Sequence, residues 1–191
     1  MIWLVVAERL VVTGTAAFSI GAIDVGSHDG FSPGGHFDVG ATFHRFRLAA
    51  ELDAGLWANE DAPDDMPESG SYRRLGGALR YYFADLDVSK KCGNDESLLR
   101  LYVEGGIGRQ SIDAPSIEVS RPDLMLGFGM QQQAQIGSVT LGGHFGLRVL
   151  VSEAPAPNVV SATCKGATCD PPGYRRHDLA LFFTMGFAIG K

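Results

Sequence analysis

The sequence predicts an all-β protein, an eight-stranded antiparallel up-and-down transmembrane β-barrel, and three observations carry that prediction. Apolar residues alternate with small or polar ones through eight segments, each long enough for the roughly nine to eleven residues with which a tilted strand crosses a bilayer. The second face of these segments holds Gly, Ala, Thr and isolated charges, as HDLALFFTMGFAIGK (177–191) illustrates. The lysines, Lys90, Lys91, Lys165 and Lys191, fall in connections or at the end, whereas Arg80, Arg100 and Arg148 lie inside strands. A soluble barrel of the lipocalin kind turns its apolar face inward and shows Lys, Glu, Thr and Gln to water. Small residues with scattered charges suit a narrow lumen instead, which leaves the apolar face to lipid.

The first strand covers about 8–24, with Leu10, Val12, Ala16, Phe18 and Ile20 on one face, and GSHDGFSPGG then breaks it. The second (36–44) aligns Phe37, Val39, Ala41 and Phe43, and the third (47–58) aligns Leu48, Ala50, Leu52, Ala54 and Leu56, with Arg45 and Phe46 as the turn. NEDAPDDMPESGS is a loop by composition. The fourth strand (72–84) carries Leu75, Leu79, Tyr81 and Phe83, and DLDVSKKCGNDES joins it to the fifth (98–112), with Leu99, Leu101, Val103 and Ile107. DAPSIEVS is read as a connection to the sixth strand (121–136), with Leu124, Leu126, Phe128 and Met130. Gly137 and Ser138 form a tight turn into the seventh (139–152), and a long loop through SATCKGATCDPPG leads to the eighth (174–190).

Register follows from the turns. Pairing across Gly137 and Ser138 sets Val139 opposite Ile136, Phe145 opposite Met130, Leu147 opposite Phe128 and Val149 opposite Leu126, so the apolar faces coincide. Pairing across Arg45 and Phe46 sets Phe43 opposite Leu48 and Val39 opposite Leu52. Symmetry about Cys92 sets Arg80 opposite Glu104 and Tyr82 opposite Tyr102. Four of the longer connections then gather at one end, and the termini with two tight turns lie at the other, periplasmic, end, where the connection around Cys92 is long for a periplasmic turn. Trp57, Tyr72 and Tyr174 are expected in an outer aromatic girdle, Phe46 and Phe83 in an inner one.

At 191 residues the chain fits one domain, 1–191, and its 45% hydrophobic content and 25 glycines exclude a disordered chain. A net charge of -6 argues against a nucleic-acid partner. MIWLVVAERL is apolar for only a short run and has neither a basic start nor a small-residue cleavage site, so either a processed or trimmed chain or a start downstream of the native one is expected. Cys164 and Cys169 are spaced for a local disulfide, with two free thiols as the alternative; a zinc site lacks a second pair, and Cys92 has no evident partner.

The inward face supplies the candidate site. Glu51, Arg80, Arg100, Glu104 and Arg148 are expected to form a lumen charge network, with Glu51 reaching Arg80 from the side away from Glu104, because a buried charge is tolerated only when paired. Asp38 is set opposite Asp53 near the outer mouth, a like-charge pair that calls for solvation or a bridging cation such as calcium. Lipid enzymology needs Ser, His and an acid together. His144 points inward, and His177 with Asp178 has no evident Ser partner, so no catalytic residues, metal site or cofactor are assigned.

YRRLGGALRYYF, LRLYVEGGIG, GGHFGLRVLV and the closing strand resemble strands of the small eight-stranded outer-membrane barrels of Gram-negative bacteria, the OmpA-type and opacity-type families. The resemblance spans nearly the whole chain and rests on pattern. It departs at the end, Gly-Phe-Ala-Ile-Gly-Lys, where such barrels often finish on an aromatic residue. It implies the bacterial outer membrane, contact with its lipid and lipopolysaccharide, and an internal salt-bridge network that blocks or gates the passage. A monomer with a structural, adhesive or binding role through its outer loops, including an extracellular ligand, is the leading expectation. A narrow gated ion or small-solute pore, a lipid-modifying enzyme and a soluble lipocalin-like barrel are the alternatives.

Overall fold

The computed structural model describes residues 10–26, 28–59, 69–88, 97–115, 117–136, 139–154 and 177–190. The strands are β1 (Val11–Val25), β2 (His28–Phe43), β3 (Phe46–Asn59), β4 (Ser69–Asp87), β5 (Ser97–Ala114), β6 (Ile117–Ile136), β7 (Val139–Glu153) and β8 (His177–Gly190). Each pairs antiparallel with its sequence neighbour, and β8 pairs with β1 to close the barrel. Following partners from Thr13 through Gly40, Ala49, Ala78, Gly106, Met125, Leu150 and Ala180 returns to β1 at Ile23. That stagger tilts the strands against the barrel axis. Cys92, Tyr174, the Cys164 and Cys169 pair, the turn at Gly137 and Ser138, and the loop around Asp64 lie outside the described residues.

The registers expected for β6 with β7 and for β4 with β5 are found: Ile136 faces Val139, Phe128 faces Leu147, Arg80 faces Glu104 and Tyr82 faces Tyr102. A bulge at Phe83 then shifts β4 against β5 by one residue. The β2–β3 hairpin differs from expectation. Its turn is His44 and Arg45, with His44 at φ 58°, and Phe43 pairs with Phe46. The partners move by two residues, so every side chain keeps its face but changes its neighbour. Asp38 lies opposite Glu51, and Asp53 lies opposite His36, so the directly opposed aspartate pair does not form.

Two segments expected to be connections are strand. From His28 onward GSHDGFSPGG is part of β2, and β1 and β2 turn at Gly26, φ 63°, with Val25 opposite His28. Pro33 lacks an N–H for the ladder, and the β2–β3 pairing skips Ser32 and Pro33 before resuming at Gly34. DAPSIEVS likewise turns at Pro115, and Ala114 pairs with Ile117. Ile117 and Val119 face inward here while Glu118 and Ser120 face out. At the end away from the termini, which we call the loop end, the two faces have exchanged polarity.

Over the rest of the wall the outside is apolar. Phe187, Leu126, Ile107 and Leu48 are 80%, 70%, 68% and 67% exposed, and β8 shows Leu179, Leu181, Phe183, Met185, Phe187 and Ile189 to the surroundings. From Leu179 to Ile189 the strand rises about 33 Å, or about 25 Å along the axis at a tilt of about 40°, the height of a lipid-facing band. Phe46 and Phe83 face outward at the terminal end. Trp57 and Tyr72 do not form the opposite girdle: both are fully inside, on the same face of their strands as Asp53 and Arg74.

Candidate functional site

The lumen is packed in layers, each set by strand alternation. In its middle, Arg148 on β7 donates from Nε to Glu104 Oε1 (2.8 Å) and from Nη2 to Glu51 Oε1 (2.7 Å). Arg80 on β4 holds the other Glu104 oxygen through Nε (3.0 Å) and Nη2 (2.9 Å). Arg74 on β4 holds Glu51 Oε2 (3.2 Å) and, through Nε, Asp123 on β6 (2.8 Å). Arg47 on β3 pairs with Asp38 and donates to Thr13 Oγ1 (2.9 Å) on β1. Asp38 in turn lies 3.8 Å from Arg80. Carboxylates shared between guanidiniums therefore make one chain of contacts from Arg47 to Asp123, fully buried and anchored in β2 to β7.

Each of the named charges has a definite place. Glu51, Arg80, Glu104 and Arg148 lie in this chain, but Glu51 contacts Arg148 and Arg74, while the residue opposite Arg80 on β3 is Arg47. Arg100 is not in it. The bulge at Phe83 brings Asp85 opposite Arg100, which bonds to it (3.1 Å) and stacks on Tyr82, its Cζ 4.0 Å from the ring centroid. Asp38 and Asp53 are bridged by His36, whose Nδ1 is 2.7 Å from Asp53 and whose Nε2 is 3.4 Å from Asp38. Ligand atoms of His36, Asp38 and Glu51 lie within 4.8 Å of one another, yet they already face Arg47, Arg148 and Arg74. A cation there would compete with guanidiniums for every oxygen. Both His36 nitrogens are engaged, which leaves neither as a base for a serine.

Toward the terminal end the lumen becomes aromatic. Arg80 Cζ sits 4.0 Å over the Tyr102 ring, Tyr102 stacks on His144 with centroids 5.9 Å apart, and the Tyr82 hydroxyl donates to Gln131 Oε1 (2.7 Å). Toward the loop end it becomes a core of the soluble kind, built from Trp57, Tyr72, Ile112, Met125, Leu150 and Phe182. Phe182 stacks on Tyr72 at 5.3 Å, and Gly21 beside it is necessary because a Cβ there would meet the Phe182 ring. Gly30 plays the same part for the Trp57 indole. At the top, Arg121 on β6 pairs with Asp178 on β8 and donates to Asp24 O on β1 (2.9 Å) and Glu153 O on β7 (3.2 Å); Asp178 also accepts from Gly26 N–H (2.8 Å). This clasp ties together the strands on both sides of the β1–β8 seam.

With charges inside and a bilayer-high apolar band outside, the molecule is a transmembrane barrel. No family model matches the chain, and no curated protein matches it. Among solved structures it is similar to Ail, the attachment invasion locus protein of Yersinia pestis, at 7% identity and TM-score 0.38 over 94% of this chain and 99% of that one. The same protein in complex with the heparin analogue sucrose octasulfate gives 8% and 0.40 over 94% and 99%. A major outer membrane protein from Thermus thermophilus gives 15% and 0.42 over 93% and 99%. Identities this low carry no residue's role from one chain to another.

Arg47, Arg74, His36 and Asp123 belong to the lumen chain although only its other members stand out in the sequence. Parity was the available signal: Arg74 is in phase with Arg80, His36 with Asp38, and Arg47 with Glu51.

Proposed function

We propose that this protein is a monomeric integral barrel of the bacterial outer membrane, its termini periplasmic and its lumen sealed, acting as a rigid platform for the loops at its far end. The observation that carries this reading is the succession of two unlike fillings in one narrow lumen, a cross-linked charge layer and an apolar core. An ion that passed the first by displacing a guanidinium would still have to desolvate in the second. The functional surface is then the loop end, where NEDAPDDMPESGS and the Cys164 and Cys169 connection leave the barrel, and the role is structural or adhesive toward an extracellular ligand. Lipopolysaccharide and outer-membrane lipid are the partners of the wall.

Planar-bilayer recording tests the sealed lumen. Wild-type protein and Glu104→Ala are expected to give no conductance steps, because the apolar core stays in place in both. Defined steps from the folded wild-type monomer would overturn the sealed platform and establish the pore.

A further inference from the structure

On the outside of the loop end the apolar band stops at a cationic corner. Arg73 on β4 and Arg109 on β5 both point outward, and since Arg73 pairs with Ser111 while Arg109 pairs with Leu75, the two are diagonal neighbours on one face. Arg109 donates from Nε to Ser120 Oγ (2.9 Å) and from Nη2 to Ser120 O (3.4 Å), and the Ser111 hydroxyl donates to Ser120 Oγ (3.2 Å), so the guanidinium is held against Ser120 with its Nη1 edge left over. Arg73 has no carboxylate partner among the described residues. Directly below, on the bilayer side, a groove of about 980 Å³ runs over Leu75, Ile107, Leu124 and Val151, with Arg109, Pro122, Glu153 and His177 along its rim.

We propose that this corner binds a phosphorylated membrane lipid, its phosphate on Arg73 and Arg109 and one acyl chain along the groove of Leu75, Ile107, Leu124 and Val151. The proposal rests on the reading of the barrel as membrane-embedded. Charge complementarity selects the occupant: two arginines with two hydroxyls at a lipid-facing apolar boundary match a phosphate whose chains descend into the bilayer. The neighbouring acids set its limits. Asp113 and Glu118 face each other one step further toward the loops, and Glu153, opposite His177, borders the same groove beyond Pro122, so the phosphate is confined to the β4–β5 side of the groove, below Asp113 and Glu118.

The test is native mass spectrometry of the folded protein in neutral detergent, titrated separately with phosphatidic acid, phosphatidylcholine and diacylglycerol of identical chains. Wild type is expected to retain one phosphatidic acid, and Arg73→Gln with Arg109→Gln to weaken it about thirtyfold, the sum of about one cation's membrane-surface attraction for each arginine. Arg73→Lys with Arg109→Lys is expected to fall between. Both positions are exposed, so folding is unaffected, and heat-modifiable gel migration verifies it. Equal retention by the Gln pair, or equal retention of diacylglycerol by wild type, would overturn the site while leaving the membrane barrel intact. A protein that is monodisperse in plain buffer without detergent would overturn both.

Discussion

Replacing Glu104 by Ala removes the carboxylate shared by two buried arginines. Three charge-assisted hydrogen bonds disappear, at 2.8, 2.9 and 3.0 Å. Arg148 keeps Glu51, but Arg80 is left with Asp38 at 3.8 Å. At about 1.5–3 kcal/mol per bond to a charged group the gross loss is about 4.5–9 kcal/mol. Water entering the vacated volume and the remaining partners offset part of it, so the expected net destabilisation is about 3–5 kcal/mol, the range for stranding one partner of a buried pair. Reversible urea unfolding in lipid vesicles, followed by tryptophan fluorescence, measures it. Adding Arg80→Met to Glu104→Ala is expected to recover part of the loss, because the stranded guanidinium is then absent. A loss below about 1 kcal/mol, or a double variant less stable than Glu104→Ala, would refute the claim that these charges are buried and mutually compensated.

Neighbouring positions on β8 separate the two faces: in the same titration Phe182→Ala is expected to cost about 3–5 kcal/mol through loss of the Tyr72 stack and the core volume. Phe183→Ala, facing lipid, leaves no buried cavity and is expected to cost much less. Gly21→Val is expected to prevent the compact heat-modifiable form, since its side chain would occupy the place of the Phe182 ring. Arg121→Ala opens the clasp at the β1–β8 seam, and faster protease cleavage at the loop end with an unchanged band at the terminal end is the expected outcome. With Trp3→Phe removing the second of the chain's 2 tryptophans, Trp57 should emit from a buried site yet resist quenching by brominated lipid, whereas a girdle tryptophan would be quenched strongly.

Strand number, faces and two hairpin registers were legible because each depends on period 2 over ten or more residues, which is robust to error at the ends. The β6–β7 pairing was readable from Gly137 and Ser138. The β2–β3 pairing was not, because its turn places His44, not Gly, at positive φ, so no residue type marks it. That two-residue difference decides whether Asp38 meets Asp53 or Glu51, and with it whether the aspartates need a cation. Strand lengths failed for another reason. A single rule of apolar outward misreads Ile117, Val119 and Trp57, where the barrel has left the band and follows the soluble rule. The same inversion misled the girdle: Trp57 and Tyr72 lie at the right height and on the wrong face. Phe182, an aromatic on an otherwise small inward face, was the visible sign that the lumen is not polar throughout.

The central claim is that one face of each strand meets lipid and the other a sealed interior. Its most direct measurement is spin-label accessibility on β8 in vesicles, with Cys92, Cys164 and Cys169 replaced by Ser and labels attached through Leu181→Cys, Phe183→Cys and Met185→Cys. The account predicts high collision with oxygen and low collision with a water-soluble nickel chelate at all three. High nickel access with low oxygen access at 181, 183 and 185 would contradict it.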